Sequence, residues 1–212
     1  LDDAGNLAWK LARVIQGQAP DALLDSYSVE RVHATHENIA YGAKSTEFMA
    51  PPNFAYRLLR EATLRLAVDD PGVRPLINPR QSSAIRYEGS PLNVAEASAW
   101  TNDQAAPGAP APEALLQGPQ GAFHLSSRFG QRFVVLAFGD AAAFAPPHPD
   151  LDLIAITPAV DAHGQAWQRY GLSRVDATAW VLVRPDGYVM GRWQGLDAAP
   201  LRAVLQDKGV FA

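Results

Sequence analysis

The chain reads as an α/β protein, with helices first and a compact domain on a mixed central sheet last. Three observations carry that expectation. Apolar residues recur at helical spacing through Asn6–Val14 and Phe54–Val68. Short runs rich in β-branched and aromatic residues follow between Phe133 and Trp193. An Ala-Pro-rich stretch, Ala105 to Pro112, lies between the two regions and reads as an extended connector.

Taken in order, Leu7, Leu11 and Val14, with Ala8 and Ile15 alongside, mark one face of a first helix. Asp3 is placed to cap its start and Gly17 to end it. Pro20 suits the first turn of a second helix carrying Leu23, Leu24 and Tyr27. Glu37 to Met49 predicts another helix, stopped by Pro51-Pro52. Phe54 to Val68 predicts an amphipathic one, ended by the turn Asp69-Asp70-Pro71-Gly72.

Beyond the connector, Phe133–Phe138 and Leu151–Ile156 predict buried strands, and His163–Tyr170 a helix. Ala179–Val183 and Tyr188–Trp193 flank Arg184-Pro185-Asp186-Gly187, a hairpin signal in which Pro fixes φ and Gly allows a positive one. A closing helix is expected over about Ala198 to Gln206. This order resembles a thioredoxin-like fold.

Composition narrows the function. The 212 residues are 48% hydrophobic and 19% charged, as in an ordinary globular protein. A net charge of -4 argues against a nucleic-acid partner. No apolar run approaches the ~20 residues that span a bilayer. The chain has 0 cysteines, which excludes disulfides, thiol catalysis and zinc-thiolate sites and fits a cytoplasmic protein. A thioredoxin-like redox activity, which needs a reactive thiolate, is thereby excluded.

Four constellations carry residue types suited to chemistry. His33 and His36 could share a helix face, but a solvated polar face is the better reading than a metal site. Arg60, Arg65, Arg74 and Arg80 could hold an aromatic acid, against exposed arginines as the ordinary case. Ser126, Ser127, His124 and Asp140 lack the G-x-S-x-G elbow of a hydrolase. Trp193 and Phe211 read either as core or as an aromatic patch of a homodimer.

The wording of the chain is more specific than its periodicity. Asn6-Leu7-Ala8-Trp9-Lys10-Leu11-Ala12 is followed by Leu23-Leu24-Asp25-Ser26-Tyr27 and Glu30-Arg31, then by Tyr87-Glu88-Gly89-Ser90-Pro91-Leu92-Asn93 and a V-L-V-R-P-D-G-Y-V run. These words resemble the FAD-dependent aromatic hydroxylases, in particular the 3-(3-hydroxyphenyl)propionate and phenol hydroxylase-like branch. The resemblance implies a helical remnant of a flavin-binding domain over residues 1–42, connecting helices and a loop over 43–104, and a cysteine-free thioredoxin-like domain over 105–212. It implies FAD as cofactor, NAD(P)H as reductant and an aromatic small molecule as substrate. It places Asp3, Ala4 and Asn6 nearest the flavin; Trp9 and Lys10 match the motif, and we assign them to packing and to the helix surface.

The G-x-G-x-x-G fingerprint for adenosine and pyrophosphate is absent from the sequence, so the chain by itself is expected to be inactive and not to bind FAD tightly. No catalytic residue is assigned. The alternative is a non-catalytic thioredoxin-like module for dimerisation or assembly.

Overall fold

A computed structural model describes residues 1–77, 84–143, 148–172 and 177–210, the side chains of 142, 143, 205 and 206 excepted. The chain forms two compact units. One joins residues 1–30 to 86–212, and the other comprises 31–85.

The first unit is built on a four-stranded sheet. β1 (Leu115–Gly118) and β2 (Gly121–His124) make a small antiparallel hairpin. β3 (Phe133–Phe138), β4 (Leu151–Ile156), β5 (Ala179–Val183) and β6 (Val189–Gln194) form the main sheet in the order β4-β3-β5-β6. β3 runs parallel to β4 and antiparallel to β5, and β5 and β6 make the expected hairpin. The sheet is mixed, and β3 and β5 are buried along their whole length.

Period-two alternation sends successive side chains to opposite faces. Phe133, Val135 and Ala137, with Trp180, Leu182 and Met190, share a core with Trp9, Leu23, Leu201 and Val210. Val134, Leu136 and Phe138, with Val181, Val183 and Val189, share a second core with Leu116, Leu125, Trp167 and Tyr170. The first face is therefore covered by α1 (Asp2–Ile15) and α5 (Ala199–Asp207). The second is covered by the β1–β2 hairpin and α4 (Gln165–Arg169). Asp161 starts α4 by accepting from the backbone amides of Gln165, Ala166 and Trp167.

The connector, expected to be extended, instead turns, with the Ala106 amide donating to the Asp103 carbonyl at 3.1 Å and the Ala109 amide to Ala106 at 2.9 Å, and it is not a loose tether. Ala105 to Ala109 are buried. The Gly108 amide donates to the Val189 carbonyl at 2.8 Å, the Val189 amide to Ala109 at 2.8 Å, and the Ala111 amide to Gly187 at 2.8 Å. Alanine, glycine and proline residues let this backbone lie against the sheet. Gly108 is required: its φ is +83°, and a Cβ would sit 2.7 Å from the Tyr87 carbonyl oxygen.

Two further expectations change. Asp3 lies inside the first turn of α1, which begins at Asp2 without a side-chain cap. Its charge there still favours the helix dipole. The second and third predicted helices are one, α2 (Asp25–Met49), preceded by a short 3-10 turn at Asp21–Leu24. No proline interrupts residues 25–49, and the lone Gly42 costs only about 1 kcal/mol. α2 begins in the first unit and continues in the second.

The second unit contains the remainder of α2, then α3 (Phe54–Asp69) and a 3-10 turn at Pro71–Leu76. Asn53 caps α3 by accepting from the Tyr56 amide. α3 buries only Thr63 and Ala67 and leaves Leu58, Leu59, Leu64 and Leu66 exposed.

Candidate functional site

The first unit closes around a buried ionic knot. Its central group is Glu30, wholly buried near the start of α2. Five donors converge on this carboxylate. Oε1 accepts from Arg184 Nη1 at 2.5 Å and Ser90 Oγ at 2.5 Å. Oε2 accepts from Asn6 Nδ2 at 2.6 Å, Lys10 Nζ at 2.8 Å and Arg184 Nη2 at 3.0 Å.

Arg184 turns a second edge to Asp186, with Nε and Nη2 donating at 3.0 Å and 2.5 Å. One guanidinium thus grips two carboxylates, the fork-to-fork geometry that arginine provides and lysine lacks. Its plane also lies near the rings of Trp9, Tyr87 and Tyr188, 5.4 to 5.7 Å from their centroids. Asn6 joins the pieces: Nδ2 donates to both Glu30 and Asp186, while Oδ1 accepts from Lys10.

Local sequence explains each placement. The Asn6–Lys10 spacing of four stacks the two on one side of α1. Arg184 and Asp186 come from the β5–β6 turn, where the Gly187 amide donates to the Arg184 carbonyl at 2.9 Å. Gly187 has the positive φ of 81° that this turn requires. Ser90 comes from a loop fastened by its own turn bonds, with Asn93 Nδ2 donating to the Tyr87 carbonyl at 2.8 Å.

The knot carries two cations and two carboxylates, so its formal charge is zero. Burial alone would raise the Glu30 carboxyl, but the Arg184 guanidinium, Lys10 and Asn6 hold it down to about 2. Burial lowers the Lys10 ammonium, Glu30 partly opposes this, and the result is about 8. Burial would likewise lower Arg184, but Asp186 and Glu30 hold it above the ordinary arginine value. At neutral pH all three remain charged. Every charged group of the knot is engaged with another of its members.

The placement of Lys10 corrects the sequence reading. Expected on the helix surface, it is wholly buried. The whole helix is turned accordingly: α1 buries Asn6, Trp9, Lys10 and Arg13. It exposes Asp2, Asp3, Ala4, Gly5, Ala8, Leu11, Ala12 and Ile15. Trp9 does pack as expected, edge-on to Phe133 at 5.3 Å. Of the flavin candidates, Asp3 and Ala4 lie exposed at the first turn of α1, whereas the Asn6 side chain is committed to the knot.

The other candidates do not assemble into a site. Ser126 Oγ donates to the Glu113 carboxylate, and His124 Nδ1 lies 3.9 Å from the same Glu113, so the histidine is not placed as the base of a Ser-His pair. Arg60 donates to the Met49 carbonyl and Arg74 to the Ala67 carbonyl, so these two are engaged with backbone. Arg80 and Phe211 lie outside the described residues, and Trp193 is half-buried against the first core. Among the described residues, no group of three or more His, Asp or Glu side chains converges as a metal site. Among them, too, no helix is long and apolar enough to cross a membrane.

Comparison with known proteins now bears on α1 and α2. The family described as FAD binding domain matches residues 1–40. A 4-methyl-5-nitrocatechol 5-monooxygenase of Burkholderia sp. is 34% identical over 236 residues, covering 97% of this chain and 39% of that protein. A 6-methylpretetramide 4-monooxygenase of Streptomyces rimosus is 28% identical over 230 residues, covering 97% and 40%. Among solved structures, aklavinone-11 hydroxylase with FAD and aklavinone superposes with a TM-score of 0.64 at 26% identity, covering 98% of this chain and 39% of that one. The chain thus spans about two fifths of the length of these relatives.

Proposed function

We propose, from the premise that the chain is related throughout its length to the FAD-dependent aromatic monooxygenases, that it serves as the C-terminal part of such an enzyme. The whole protein would hydroxylate a phenolic or other aromatic compound, with NAD(P)H as reductant. The observation that carries this reading is the orientation of α1. A helix alone on a protein surface turns its apolar stripe inward. This one turns Asn6, Lys10 and Arg13 inward and leaves Leu11 37% and Ile15 80% exposed. Six small or apolar residues on one helix face, Ala4, Gly5, Ala8, Leu11, Ala12 and Ile15, with no charge among them, fit a helix shared with a second body. The match of residues 1–40 to an FAD binding domain supports the nucleotide-binding part of the enzyme as that body.

The residues fit an edge of the flavin site and not its whole. The first-turn amides of α1 lack intrahelical partners, as at every helix start, and suit an electron-rich ring edge. Asp3 and Ala4 are exposed there and are proposed to flank the ring, with Asn6 acting from below through the knot. Bound flavin supplies the redox chemistry of oxygen transfer. The contribution of this chain is to hold α1 at a fixed angle and height and to cover its inner face.

The test is spectroscopic. The whole gene product carrying this chain is expected to purify with a flavin absorption band and to oxidise NAD(P)H faster when a phenolic compound is added. A flavin-free product with no such stimulation overturns the proposal. The 212-residue chain alone is expected to bind FAD more weakly than about 1 µM, measured by calorimetric titration.

The alternative of a non-catalytic assembly module applies to the sheet part. Its two cores are filled by apolar side chains and the chain has 0 cysteines, so that part is proposed to act as scaffold within the same enzyme.

A further inference from the structure

Resting on the reading just proposed, we infer that Arg184 is a positioning residue for the flavin edge, acting through Glu30, Asp186 and Asn6 on the start of α1. Arg184 is 1% exposed and its guanidinium is taken up by Glu30 and Asp186. It can act by geometry. Asn6 Nδ2 reaches Glu30 at 2.6 Å and Asp186 at 3.2 Å, and these carboxylates are held in place by adjacent edges of the same guanidinium, which share Nη2.

Lys10, one helical turn further on, is tied to the same Glu30 oxygen at 2.8 Å. Two fixed points on one helix face set the rotation of α1. A third, Arg13 Nη1 donating to the Val210 carbonyl at 3.0 Å, sets its far end. Asp3 and Ala4 lie within about 5 Å of Asn6 along the axis, less than one turn. A tilt or rotation at Asn6 therefore passes directly to the residues proposed to flank the ring. The β5–β6 turn, far along the chain, would thereby set the approach of a helix that belongs to the cofactor domain.

The fork distinguishes this role from simple charge balance. A lysine at 184 keeps the charge but cannot bridge both carboxylates. Arg184→Lys and Arg184→Gln should therefore both loosen α1, although only the second changes net charge.

The experiment has two arms. Hydrogen exchange on the 212-residue chain should show amides of residues 6–13 accelerated in both variants by at least about tenfold more than those of β3 and β5, which report any change in global stability. Equal acceleration in α1, β3 and β5 means global destabilisation and overturns the inference, as does unchanged α1. Should Arg184→Gln not fold, Asp186→Asn, which keeps the shape and removes one anchor, takes its place.

In the whole flavoprotein, Arg184→Lys should retain its flavin but release several-fold more hydrogen peroxide per NAD(P)H consumed. Unchanged coupling and an unchanged flavin spectrum in a flavin-bearing variant overturn the inference alone. A wild-type protein without flavin overturns the reading beneath it, and that result is seen before any variant is made.

Discussion

At the scale of single residues, the knot is costly to assemble and more costly to break. Burying four charges stabilises the fold little by itself, because desolvation offsets most of the Coulombic gain. Removing one member strands the others. Arg184→Leu should lower unfolding free energy by about 3–5 kcal/mol in urea titration, because Glu30 and Asp186 lose their shared partner. A loss below about 1 kcal/mol would mean the pair is solvent-screened in solution.

Glu30 also sets an acid limit. Its carboxyl is held at about 2 in the fold against an ordinary 4.5. The folded state thus resists protonation more than the unfolded state does. The resulting stability is present above about pH 4.5 and is lost as pH falls from there toward 2. Urea midpoints measured across this window should fall steeply in the wild type. Glu30→Gln, already lacking the charge, should be less stable at pH 7 and show a shallower slope.

At the scale of elements, the strands were legible and the rotation of α1 was not. Phe133–Phe138 and Ala179–Val183 announce themselves because a strand buried on both faces needs an unbroken apolar run. The Pro-Asp-Gly turn between β5 and β6 follows from the backbone limits of those residues.

For α1, periodicity selected the face of Leu7, Leu11 and Val14, because that rule assumes charges face water. The actual inner face is polar because its partners are Glu30 and Arg184, and nothing local reveals that pairing. A signal was nevertheless present. Each stretch of wording that resembled the hydroxylases carries one or two members of the knot: Asn6 and Lys10, Glu30, Ser90, then Arg184 and Asp186. Reading those polar residues as mutual partners would have found it.

Substitution can test the helix orientation directly. Ile15→Ser on the exposed face should change the stability of this chain by no more than about 0.5 kcal/mol. Trp9→Ala should cost about 3–5 kcal/mol. Comparable losses from both, in matched thermal melts, would show that α1 is rotated otherwise.

At the scale of the whole molecule, chain order and compact units disagree in an instructive way. The sheet that begins after residue 105 shares its core with Trp9 and Leu23 and its buried charges with Asn6, Lys10 and Glu30. The unit that contains it joins residues 1–30 to 86–212. Composition marks the Ala-Pro stretch as a boundary, yet its backbone hydrogen bonds to Val189 and Gly187 tie it to the sheet.

Cutting the chain at 105 should therefore expose Phe133 and leave Arg184 without Glu30. Residues 105–212 alone are expected to lack a cooperative thermal transition or to aggregate. Replacing residues 31–85 by a Gly/Ser linker keeps every contact of the first unit and should preserve a single sigmoidal melt with dispersed amide resonances. If 105–212 folds cooperatively without residues 1–30, the knot is an accessory to a self-sufficient domain. Its proposed control over α1 would then run in the weaker direction, from sheet to helix without return.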